Sequence, residues 1–231
     1  MKKLFAFLFI CVCALTFVAC GEEKEAAKTN ETNKTQEGEK TPVVNTGNNG
    51  EKTPEPVSTV DAVVGDEFSG LCTGKKVYAT TCGQADLATL DVLLEDSLET
   101  ELELYTSDEK LVASEVEDGS VVFLVVGGSN KGLGAAGTDV TAEANRASDF
   151  ASAAKSGKIT LVVFHIGGES RRGDTSDPII KAAAPSANLL LVVESGNSDG
   201  YFTSVSEEYN IPLYLFSKAA KLKPSLAKLF A

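Results

Sequence analysis

Residues 120–128 read SVVFLVVGG: six consecutive apolar residues, closed by two glycines. A run this short and this continuously apolar is a strand buried on both faces, as strands are in parallel sheets. Stretches of the same kind recur on either side of it. ITLVVF (159–164), NLLLVVE (188–194) and IPLYLFS (211–217) follow, and the shorter KKVYAT (75–80) precedes. ELELY (101–105) alternates and reads as one more strand.

Helical patterns separate these strands. LATLDVLLEDSL (87–98) carries a stripe of Leu87, Leu90, Val92, Leu93, Leu94 and Leu98. TDVTAEANRASDFASAAKSG (138–157) opens on the cap candidates Thr138 and Asp139 and closes at Gly157. SDPIIKAAAPSA (176–187) places Pro178 in the first turn, where proline is tolerated. YFTSVSEEYN (201–210) and LKPSLAKLF (222–230) complete the series, while SDEKLVASEVEDG (107–119) reads as a short helix or a loop. Continuous strands alternating with helices predict an α/β fold: one doubly wound, mainly parallel sheet in a three-layer αβα sandwich. The expected order is flavodoxin-like or Rossmann-like, 2-1-3-4-5, with IPLYLFS extending the far edge.

In such sheets ligands bind at the carboxyl ends of the strands, near the switch between strands one and three. The polar, glycine-rich stretches all follow strands: TTCGQAD (80–86), GGSNKGLGAAG (127–137), HIGGESRRGD (165–174) and ESGNSDG (194–200). The third holds the only His of the chain and two of its three arginines. Together these loops predict one pocket lined by Thr81, Gln84, Ser129, Asn130, Lys131, His165, Glu169, Arg171 and Arg172. Lys131 and the two arginines would hold a carboxylate or phosphate. Ser129, Asn130 and Gln84 would orient it, and Glu169 would fix His165 or a guanidinium.

The plainer readings are that His165 packs at the edge of the core and that both arginines are solvated surface charges. A lone His is a poor metal site, so no metal is expected. GLGAAG (132–137) matches a dinucleotide fingerprint, but SNK lengthens the turn and no acidic residue ends the following strand. A long loop with several positive φ angles is the preferred reading there, and no cofactor is assigned. Asp86 is a helix-cap candidate, and Cys82 with His165 a conceivable nucleophilic pair. Cys72 and Cys82 would lie at opposite ends of the first strand, too far apart for a bridge without the chain folding back.

The remaining chain is of other material. MKKLFAFLFICVCALTFVAC (1–20) has two lysines, an apolar stretch and a small residue before Cys20. This is a secretory signal layout. FVAC resembles a bacterial lipobox with Phe17 in the usual Leu position, which implies cleavage after residue 19 and lipidation of Cys20. Residues 20–67 are rich in Glu, Lys, Thr, Asn, Gly and Pro and are expected to be a disordered linker, since they can bury little apolar area. About 50 such residues span roughly 40 Å root-mean-square. The folded domain is expected over 68–231.

The chain carries a formal charge of -12, which becomes -14 without Lys2 and Lys3 because residues 1–19 hold no Asp or Glu. That balance argues against a nucleic-acid partner held by a general basic footprint.

The loops TTCGQADLATLDVLL, GGSNKGLGAAGTDV, HIGGESRRGD and VESGNSDGYF together resemble an uncharacterised family of bacterial exported or lipid-anchored proteins, a domain of unknown function. The resemblance covers roughly Val77 to Pro212. It implies a Rossmann-like fold and no assigned activity, and Cys82 stands where a serine or another small residue is expected. Three functions therefore compete. The first is a lipid-anchored envelope protein binding a small polar, anionic ligand. The second is an envelope hydrolase or transferase using His165 and Glu169 as acid–base groups. The third is a protein-interaction module of a membrane complex.

Overall fold

The computed structural model of the chain describes residues 59–98 and 104–231. Cys20, the signal stretch and most of the expected linker lie outside them. Six strands form one sheet: β1 (Val77–Cys82), β2 (Tyr105–Ser107), β3 (Val121–Val126), β4 (Thr160–His165), β5 (Leu189–Val193) and β6 (Leu213–Phe216). Every neighbouring pair is parallel and the order is β2-β1-β3-β4-β5-β6. This is the α/β arrangement expected from the alternation, with β1 beside β3 and β6 at the far edge.

The alternation of side chains along each strand builds two cores. On one face Val122, Leu124, Val126, Leu161, Val163, Leu190 and Val192 meet three helices: α3 (Val140–Lys155), α4 (Asp177–Ala183) and α5 (Tyr201–Tyr209). On the other, Val121, Phe123, Val125, Val162, Phe164, Leu189 and Leu191 meet α1 (Leu87–Glu95) and α6 (Lys223–Leu229). Phe123 stands edge-on to Phe164 and Phe230, with ring centroids at 5.1 and 6.1 Å. Each such buried side chain contributes about 1.5–3 kcal/mol. Cys72 and Cys82 are both free and buried, one in each core, so the sheet itself lies between the two thiols.

Several local expectations change. β1 runs to Cys82, two residues beyond the strand read from the sequence, because Thr81 and Cys82 stay in register with Val125 and Val126. The described part of β2 is Tyr105–Ser107, and residues 101–103 of the expected strand fall outside the described residues. Between β2 and β3 only a short 3-10 turn forms, Ala113–Glu115. GLGAAG is not a long loop. It lies in the helix α2 (Asn130–Ala136), capped by the Ser129 hydroxyl accepting from Gly132 N at 3.2 Å and ended by Gly137 at φ 68°.

The expected linker also stops earlier than residue 67. Val64 is buried, and the segment from 59 onward is knitted to β6 and α6. Asp61 N donates to Leu215 O at 2.8 Å and Ser217 N to the Asp61 carboxylate at 2.8 Å. Gly65 N donates to the Tyr214 hydroxyl at 2.8 Å, and Cys72 N to Leu229 O at 2.8 Å.

Candidate functional site

The carboxyl rim of the sheet is assembled by close backbone contact. Gly83 N–H follows β1 directly and donates to the Glu143 carboxylate at 2.7 Å, and Ser129 N donates to Gly83 O at 3.0 Å. A Cβ on Gly83 would stand 2.4 Å from Gly127 O, and its φ is 105°. The glycines here let the β1 and β3 loops touch.

Beneath this contact lies an ion pair that the sequence reading passed over. Glu143 and Arg146, one turn apart on α3, have side chains only 5% and 11% exposed and meet at 2.6 Å. The carboxylate also accepts from Gln84 Nε2 and Thr138 Oγ1, each at 3.3 Å. Arg146 donates to Leu111 O at 2.9 Å, to Thr80 Oγ1 at 3.3 Å and to Thr81 O. Both charges are thus paired and hydrogen-bonded at a nearly buried position, at the wall of one of the hollows described next. The signal was present in the sequence as E-x-x-R on a capped helix, the spacing that brings two side chains onto one face.

Around Gln84 the rim opens. Three shallow hollows of about 260, 210 and 210 Å³ all include its side chain. They lie between the loop after β1, the Glu109–Lys110 segment and the α2–α3 corner with Ala136 and Thr138. Thr81 lines one of them while its hydroxyl is tied to Ala85 O at 2.7 Å.

The other expected site residues go elsewhere, and the single pocket of nine does not form around these hollows. His165 is fully buried on the α5 side of the sheet. Its Nδ1 faces Val126 O at 2.9 Å, its Nε2 faces Gly168 O at 3.2 Å, and the ring stacks on Phe202 at 5.3 Å. A neutral imidazole has one N–H, so only one of these two carbonyls accepts from it at a time. Glu169 is exposed, and its backbone N–H rather than its carboxylate makes the local bond, to Ser195 Oγ at 3.4 Å. The expected Glu169–His165 pair is therefore not made. Cys82 is likewise buried, and burial pushes its thiol up to about 12, away from nucleophilic use.

Arg172 is committed within the protein. Its Nε donates to Asp177 at 2.9 Å, and its fork grips Asp199 through bonds of 2.9 and 2.7 Å. It also donates to Gly196 O and lies 5.8 Å from the ring centroids of Tyr201 and Phe202. These bonds join the loops after β4 and β5, and the Arg172 bonds hold the Asp199 carboxyl down to about 2. Arg171 donates through Nε to Asp86 at 3.1 Å. Asp86 occupies the expected N-cap position of α1, at φ 63°, but its side chain makes no capping bond. Asn130 accepts from Thr175 Oγ1 at 3.0 Å, and Lys131 is exposed with no ion-pair partner among the described residues.

The buried His165 gives a pH dependence with a definite sign. Burial lowers its pKa below the usual 6.5, outweighing the two carbonyls that favour the proton. The unfolded chain then binds more protons than the folded one below about pH 6.5, so stability falls with acidification through that window. Urea midpoints of the parent and of His165→Phe should converge as pH drops from about 7 to about 5. A gap between them that stays constant would refute the assignment.

Residues 74–230 match the model of DUF6305, a domain of unknown function. The chain belongs to this family. No curated protein and no solved structure gives a significant match. For this member of DUF6305, functional reasoning therefore rests on the site geometry.

Proposed function

We propose that this DUF6305 protein is exported, anchored to the bacterial cell membrane through lipidated Cys20, and binds a small polar, anionic molecule at the carboxyl rim around Gln84. The loop after β1 carries the reading. Within four residues it holds Gly83 at φ 105°, Gln84 at 58° and Asp86 at 63°. Side chains in that left-handed region cost about 1–3 kcal/mol each and persist where the surrounding structure requires them. Gln84 lines all three hollows from this loop, with its Nε2 donating to Glu143 and Glu109 O. Lys110 lines two of the hollows and supplies positive charge there, since the Arg146 that lines one of them is already paired with Glu143. The hollows are smaller than the roughly 300–1,000 Å³ of ordinary ligand pockets, which restricts the occupant to a small molecule. Binding is favoured over acid–base catalysis because His165 and Glu169 do not meet and His165 is sealed from solvent.

Two measurements test this reading. Cys20→Ser should release the protein from membranes or leave its precursor uncleaved, and unchanged fractionation with unchanged lipid labelling would remove the anchor from the proposal. Native mass spectrometry of the full chain from its own host should show excess mass that Gln84→Ala and Lys110→Ala diminish. A mass equal to the bare chain under gentle desolvation, at every growth condition, would count against a bound small molecule.

A further inference from the structure

We propose that Arg171 is an oxyanion-binding fork for the carboxylate or phosphate end of that small ligand, and that Asp86 is the internal carboxylate holding the fork when no ligand is bound. The inference rests on the rim reading and names the residue and chemistry that the reading leaves open.

The fork has a built seat. Arg171 leaves the 3-10 turn Gly168–Arg171 and lays its stem over the ends of β3 and β4. A Cβ placed on Gly127 would come within 3.2 Å of the Arg171 Cβ, and one on Gly167 within 2.0 Å of its Cγ. Two bare backbone positions thus hold the stem over the carboxyl ends of the central strands. The head is only partly used. Of five N–H donors, Nε–H alone has a partner, Asp86, while both terminal amino groups are without a hydrogen-bond acceptor among the described residues. The Arg171 side chain is 33% exposed. Arg172, its neighbour, shows the contrasting case: its terminal nitrogens are satisfied by Asp199 and Gly196 O.

Asp86 behaves as a stand-in for a ligand. At the N-cap position of α1 it takes a left-handed backbone, and its carboxylate is turned to Arg171 instead of capping the helix. One carboxylate oxygen on Nε leaves the two-pronged face open, which is the face that carboxylates and phosphates engage through paired bonds. Asp86 also lines one of the Gln84 hollows, so movement of its carboxylate links the fork to that opening.

The test titrates inorganic phosphate and, separately, acetate into the full chain while following the arginine side-chain 15N resonances, with Arg171→Lys and Asp86→Asn beside the parent. Arg171→Lys keeps the charge and the stem but loses the fork. Asp86→Asn keeps the size and suits the left-handed backbone. The expected result is a saturable shift of the Arg171 signals by at least one probe. Affinity should fall about tenfold or more in Arg171→Lys and rise severalfold in Asp86→Asn. Whichever probe saturates identifies the oxyanion. Absence of saturation by both probes in the parent and in Asp86→Asn overturns the inference. So does binding that neither variant changes, and in that case the Gln84 reading still stands on its own mass-spectrometric test.

Discussion

Glu143→Ala should cost about 3–5 kcal/mol of folding stability, the range for removing one partner of a buried ion pair. The loss has two sources. Arg146, 11% exposed, would keep its charge with no counter-charge in place. Gly83 N–H would lose the acceptor it meets at 2.7 Å. Against total stabilities of roughly 5–15 kcal/mol, this is a large fraction. The chain has no tryptophan, so urea unfolding is best followed by far-UV circular dichroism. The double variant Glu143→Leu with Arg146→Met should recover part of the loss, since replacing both charges removes the stranded one. A cost below about 1 kcal/mol for Glu143→Ala would mean that solvent reaches the pair.

Gly83→Ala should cost nearly as much, about 2–5 kcal/mol, for a different reason. The new Cβ meets Gly127 O at 2.4 Å on a backbone already at φ 105°. Forcing the β1 and β3 loops apart adds overpacking of about 1–3 kcal/mol to a conformational cost of similar size. Gly119→Ala separates the two contributions: its φ is 83°, and a Cβ there meets nothing within 4 Å. Thermal unfolding of the pair should place Gly83→Ala well below Gly119→Ala. Equal melting temperatures would show that the loops yield readily and that the rim is not held by this contact.

The sheet was legible because strands such as 121–126 are apolar at every position, a pattern that two covered faces impose. Helix α3 was legible from Asp139, whose carboxylate accepts from Ala142 N at 2.8 Å as a capping residue should. The site was legible only as a neighbourhood. Topology brings the four loops to one rim, but which charge meets which is decided across long sequence separations. Arg172 finds Asp199 27 residues away, and Arg171 finds Asp86 85 residues away. Glycine content misled at 132–137, where Gly132 and Gly134 sit inside a helix whose buried Leu133 and Ser129 cap decide the conformation. Nothing local in the sequence reveals that the Arg146 fork reaches Thr81 O and Leu111 O.

The bonds that tie residues 59–72 to β6 and α6 also define a load path. Tension entering the domain at Thr59 does not peel the central strands. It first meets Asp61, anchored on Leu215 O and Ser217, then Val64 N on Ser225 Oγ at 3.2 Å, then Gly70 and Cys72 on the last turns of α6. These attachments are spaced along the chain ahead of β1, so a pull on that end bears on them before it bears on the central strands. A domain pulled from that end would lengthen by shedding its margin, and because β1 is the next element in the chain, that margin is what stands between the pull and the Gln84 rim.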